Sequence, residues 1–124
     1  AGVTADEVVH HGGGTPRPPA GEWDRCSGEI PAATALAEVR THDRQIRNCY
    51  ERRLRDNPLL QGTMALSLMI NGDGSVSGVR TTGTLHDRDF STCVRAEAMR
   101  MHFPRVTGGP CTQVAVPFSF TPEN

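Results

Sequence analysis

The chain has 124 residues, 36% of them hydrophobic and 5% aromatic, with a formal charge of −1. That length sets a limit of one domain with a thin core, because a domain of this size buries only about two thirds of the surface its unfolded chain exposes. The balanced charge leaves no electrostatic footprint for nucleic acid or anionic lipid, and no run approaches the ~18 apolar residues of a membrane span. Any targeting segment or membrane anchor is expected to lie outside this sequence. All thirteen basic residues are Arg, a bias read as the mark of a GC-rich genome rather than as thirteen bidentate recognition sites.

Residues 1–29 differ from the rest. His10-His11-Gly12-Gly13-Gly14, followed by Pro16, Pro18 and Pro19, is linker composition and predicts an extended or disordered extension. Trp23 and Cys26 suggest that its last part docks on the domain. The domain proper is read as 30–121, with 122–124 a tail.

A first helix is expected from near Pro31, whose fixed φ suits a first helical turn. Leu36, Val39, Ile46, Cys49, Tyr50 and Leu54 fall on one face at helical spacing. Asn57-Pro58 ends it, since the residue before proline is pushed out of the α region. A first strand follows over about Thr63 to Ile70, with Met64, Leu66, Leu68 and Ile70 alternating against milder residues, which suits a central position. Asn71-Gly72-Asp73-Gly74 tolerates positive φ and marks a hairpin turn. A second strand carries Val76 and Val79, and Gly78 between them points to a bulge.

A second helix is expected to open at Asp87, a good N-cap with Asp89 favourably placed behind it. Phe90, Cys93, Val94, Ala98 and Met101 form its apolar stripe. Thr107-Gly108-Gly109-Pro110 reads as a loop. A third strand runs from about Cys111 to Phe120, with Pro117 inside it. Proline cannot donate to a ladder, so this strand is expected at an edge or a bulge. The assembled expectation is an α+β fold of order αββαβ: a three-stranded antiparallel sheet, strand order 2-1-3, with two helices packed on one face.

Four cysteines, Cys26, Cys49, Cys93 and Cys111, include no Cys-x-x-Cys pair. An even count in a small domain favours disulfides and an oxidising compartment, and three pairings are open. Element placement favours Cys49–Cys93, joining the helices, and Cys26–Cys111, tying the N-terminal segment to the last strand. Closing a loop of ~45 residues contributes about 4 kcal/mol by chain entropy. Four buried free thiols are the alternative.

Taken together, Ile46-Arg47-x-Cys49-Tyr50-Glu51, Asn57-Pro58-x-x-x-Gly62, Asp73-Gly74-x-Val76, Cys93-Val94, Phe103-Pro104, Gly108-Gly109 and Val116-Pro117-Phe118-x-Phe120 resemble the TonB-like C-terminal domain. The resemblance is closest to the AgmX/PglI C-terminal domain of myxobacterial and related proteins, and covers about residues 36–121. Two departures stand out: Met101 takes a place where that family often has an aromatic residue, and the pair Cys26 and Cys111 is extra. The resemblance implies a periplasmic or cell-envelope domain of an inner-membrane-anchored protein. Such proteins pass force or conformational energy to outer-membrane partners, and the AgmX/PglI branch implies gliding motility.

No active site is legible. Ser, His and Asp are present without a nucleophile elbow. The glycine clusters lack a following Lys and Ser/Thr, and Asp73 lacks the acidic series of a calcium loop. The histidines at 10, 11, 42, 86 and 102 fall on expected surfaces or helix ends and do not converge as metal ligands. No catalytic, cofactor or metal site is expected.

The candidate surface is instead the edge of the third strand, at Thr112, Gln113, Val114, Ala115, Val116 and Ser119. Its unpaired backbone groups can accept an extended segment of an outer-membrane or periplasmic protein by β-augmentation. The bland alternative is that Pro117 only blunts the edge. The expected partners include no nucleic acid, and membrane only through an anchor outside this chain; an exposed edge also permits a strand-swapped homodimer. Rival readings are a disulfide-stapled secreted or cell-surface structural domain with another binding face, and a thiol-redox protein, since Arg47 and Arg95 flank Cys49 and Cys93.

Overall fold

A computed structural model describes residues 2–5, 9–10 and 26–122; Trp23, expected to dock, lies outside the described residues. The elements run β1 (Gly2–Ala5), β2 (Val9–His10), β3 (Ser27–Glu29), α1 (Ala32–Thr41), α2 (Asp43–Asp56), β4 (Gly62–Asn71), β5 (Val76–Thr82), α3 (Arg88–Ala98) and β6 (Thr107–Thr121). The sheet is antiparallel along β1–β6–β4–β5, and β2 and β3 also pair with β6.

The fold is therefore α+β but not the three-stranded sheet with two helices that the sequence suggested. The segment β5–β4–β6 carries the expected neighbours, yet β6 is not an edge. The N-terminal segment, whose composition reads as linker, adds strands along its far side. Strands of two to four residues are too short for a period-two pattern to reveal. The stretch Thr107–Pro110, expected to be a loop, opens β6 and pairs with β3 through Glu29↔Thr107.

The first helix is also two. Val39 O accepts from the His42 amide and Thr41 Oγ1 donates to Glu38 O. These i→i−3 contacts close α1 before α2 begins at Asp43. The breaking residue, His42, has φ −102° and ψ 5°.

The hairpin forms as its turn residues dictate. Asp73 Oδ1 accepts from the Ser75 amide at 3.0 Å and from its hydroxyl at 2.7 Å, which holds the Asp73 carboxyl below its usual range. Gly74 has φ +96°, and a Cβ there would sit 1.9 Å from the Phe103 carbonyl oxygen. The bulge falls beside Gly78, where the β4–β5 register shifts between Met69 and Ile70.

The core lies between one sheet face and the helices. Met64, Leu66, Leu68 and Ile70 of β4 stand opposite Phe118, Val116, Val114 and Thr112 of β6, all of them buried. Tyr50 of α2, Phe90 of α3 and Phe120 of β6 form a ring cluster with centroids 4.9–5.8 Å apart, worth roughly 0.5–1.5 kcal/mol per pair beyond area burial. The Tyr50 hydroxyl donates to the Leu60 carbonyl, so the ring is buried without an orphaned donor, and burial pushes its ionisation up.

Asp87 caps α3 as expected, Oδ1 accepting from the Phe90 amide at 2.8 Å. It also receives Arg53 Nε at 3.1 Å, which joins α3 to α2. Burial alone would raise the Asp87 carboxyl, but the Phe90 amide and the Arg53 guanidinium outweigh it and the net shift is downward.

Two predictions follow from these contacts. Gly74→Ala forces a Cβ into the Phe103 carbonyl at positive φ, so unfolding in urea is expected to show a loss of about 2 kcal/mol or more. Asp87 sits below its unfolded value of about 4, so its stabilisation is complete above that pH and disappears as pH falls through the lower folded value. Asp87→Ala is expected to remove about 1–2 kcal/mol at pH 7. Denaturant midpoints measured between pH 5 and 2 should then fall less steeply than those of the unaltered chain.

Candidate interaction surface

A strand has two edges. That of β6 facing β4 is filled over Cys111–Phe120, from Asn71↔Cys111 to Gly62↔Phe120. The outer edge receives, in order, β3 at Thr112, β2 at Val114 and Ala115, and β1 from Phe118 to Thr121. Four of the six candidate residues, Thr112, Val114, Ala115 and Ser119, thus already have a backbone partner from the chain's own N-terminal segment. Gln113 and Val116 fall between those partners. Only Ser119 of the six has an exposed side chain.

Among the described residues, β2 pairs up to Ala115 and β1 from Phe118, on either side of Val116 and Pro117. The inner ladder runs through, with Ala65↔Pro117 in register. The proline was expected to mark an edge strand. It lies instead in a strand that pairs along both of its edges.

The two ends of this edge are held differently. At the β3 end, Cys26 is bonded to Cys111, and Thr112 Oγ1 donates to the Gly28 carbonyl at 2.6 Å. A Cβ on Gly28 would meet the Cys111 carbonyl oxygen at 2.7 Å, so glycine allows the close approach. The bridge packs with Met69 as a small cluster apart from the main core. Cys49 of α2 is bonded to Cys93 of α3. This is the connectivity that element placement favoured, and no described cysteine is free. β1 and β2 carry no such tether to β6 and pair over four and two residues.

The opposite boundary of the sheet is β5. Among the described residues it pairs along β4 only, from Ala65↔Thr82 to Ile70↔Val76, apart from the single bridge Ser75↔His102. The strand order 2-1-3 expected from the sequence placed this strand at an edge, but its edge was not among the candidate binding residues.

No group of three or more His, Cys, Asp or Glu among the described residues could hold a metal ion. His42, expected as a solvated surface histidine, is a half-buried bridge between elements. Its Nδ1 lies 2.5 Å from Glu97 Oε2 on α3 and its Nε2 lies 3.1 Å from Glu38 Oε2 on α1. The two carboxylates occupy opposite sides of the ring, so they brace the helices rather than converge on one point. The i,i+4 spacing of Glu38 and His42 is legible in the sequence; the contact with Glu97, fifty-five residues on, is not.

No protein-family model, curated protein or solved structure matches this chain. The likeness to TonB-like C-terminal domains therefore rests on the quoted motifs alone. No helix among the described residues is long and apolar enough to cross a membrane.

The asymmetry of the β6 edge is measurable. Of two successive strand residues, one N–H faces the neighbouring strand, so Val3→Pro with Thr4→Pro removes whichever serves β1. Amide exchange across residues 118–121 is expected to accelerate by about tenfold or more. Residues near Thr112, pinned by Cys26–Cys111, should keep their protection.

Proposed function

We propose that this chain is a non-catalytic protein-interaction domain of the cell envelope, in the manner of TonB-like energy-transducing or gliding-motility proteins. It takes an extended segment of a periplasmic or outer-membrane partner as an added strand on the outer edge of β6. The observation that carries this reading is the pairing of β1 and β2 with that edge. They are short, antiparallel and joined to the edge by backbone pairing, which is the geometry of β-augmentation. The partner segment replaces β1 and β2 between Val114 and Thr121, while β3 stays in place behind the Cys26–Cys111 bond. Two disulfides suit an oxidising compartment such as the periplasm.

A second reading keeps a disulfide-stapled cell-surface or secreted domain and moves the binding face. The β5 edge, which among the described residues pairs on one side only, favours it.

Photo-cross-linking separates the two. A cross-linking amino acid is placed at Ser119 of β6 or at Thr82 of β5, both exposed, and the full chain is expressed in its own cell envelope. The β6 reading expects protein adducts at position 119 that increase when Val3→Pro and Thr4→Pro weaken β1. Adducts at position 82 alone, insensitive to those prolines, transfer the site to β5.

A further inference from the structure

We infer that the Cys49–Cys93 disulfide is a thiol–disulfide exchange site for an external dithiol, with Arg52 as its positioning residue. Three observations in the helical layer carry this. Cys93 is partly exposed whereas Cys49 is buried, so the bridge offers one sulfur to solvent. Arg52 Nη2 lies 3.4 Å from Cys93 Sγ, placing a permanent cation on the exposed sulfur. Both cysteines line two open grooves on either side of the α2–α3 crossing, of about 380 and 260 Å³. Arg52 is common to both grooves, so an incoming chain meets sulfur and guanidinium together.

The surrounding charges sharpen the placement. Arg53, beside Arg52, is occupied with Asp87, Asp56 and Asp89. On the other side Glu97 faces His42 and Arg100. The acids flanking the bridge thus have cationic partners, and the Arg52 guanidinium is directed at the sulfur.

The chemistry balances with a dithiol as the reductant. Its thiolate, drawn in by Arg52, attacks Cys93 Sγ. The Cys49–Cys93 bond breaks, Cys49 departs as a thiolate and takes up a proton, and a mixed disulfide remains on Cys93. The second thiol of the reductant then loses its proton and attacks its own sulfur in that mixed disulfide. Cys93 is released as a thiolate beside Arg52, and the reductant leaves as a disulfide, having supplied two electrons. A nearby cation favours both the approach and the product, because the thiolate is the reacting and the departing form.

The molecule supplies its own control. Cys26–Cys111 packs against Met69 at the β3–β6 pairing, on a different part of the sheet. The oxidised full chain is treated with dithiothreitol under native conditions, quenched by alkylation at intervals and mapped by mass spectrometry. Cys49 and Cys93 are expected to label first, with Cys26 and Cys111 opening at least about tenfold more slowly. Arg52→Gln is expected to slow the Cys49–Cys93 step about fivefold, Arg52→Lys to retain most of the rate, and neither to change the Cys26–Cys111 rate. With the monothiol glutathione, the first adduct is expected on Cys93. Equal opening of both bridges, earlier opening of Cys26–Cys111, an Arg52→Gln rate equal to the unaltered one, or a first adduct on Cys49 overturns the assignment. Both Arg52 variants are surface changes, and thermal unfolding of each reports whether the fold is intact.

Discussion

The domain depends on β6 being paired along both of its edges. Fifteen residues long, it lies beneath the helices and receives β4 on one side and three N-terminal strands on the other. Its inward residues, Val114, Val116, Phe118 and Phe120, are almost fully buried. Phe120 meets Tyr50 and Phe90 together, so α2, α3 and β6 share one contact point. The chain thereby settles two demands with one element. The helical layer needs an apolar floor, and the floor strand needs partners for every backbone group that the helices shield from water. A thin core is workable under those conditions, because burial is concentrated on one central strand rather than spread evenly.

The disulfides divide the labour between the layers. Cys49–Cys93 joins two helices that also meet through Tyr50–Phe90 and the Arg53–Asp87 pair. It adds to an interface that side chains already define. Cys26–Cys111 fixes an N-terminal strand of three residues to β6 across a sequence separation of 85. A strand so short gains little from its own pairing, and loop-closure entropy opposes it more as the intervening chain lengthens. A covalent bond removes that entropy from the unfolded chain. The position of this second bridge, absent from the pattern the sequence resembles, follows from what it holds.

The legible parts of the fold were those written locally. The β4–β5 hairpin came from Asn71-Gly72-Asp73-Gly74 and the alternation before it. The α3 start came from Asp87, and the disulfide pairing from where the helices and last strand put their cysteines. The illegible parts are the non-local ones. β1 and β2 are held by backbone pairing to β6, and backbone pairing leaves no signature in side-chain pattern at two to four residues. The break at His42 was hidden because the apolar spacing of Val39 and Ile46 continues across it. His42 at this break contacts Glu97 of a distant helix, which local spacing does not reveal. The third strand was expected at an edge, and it is found paired with the chain's own N-terminal strands.

That capping bears on what a partner strand would have to look like. A segment tethered in the same chain is present at high effective concentration, so a partner able to replace β1 and β2 must bind the freed edge more tightly in proportion. Pro117 has no backbone N–H to donate, and among the described residues β2 pairs up to Ala115 and β1 from Phe118. A straight partner strand would bring a backbone carbonyl against Pro117 with no N–H to pair it. If a partner strand adds at this edge as proposed, a bulge opposite Pro117 would keep its polar groups satisfied on both sides of the proline.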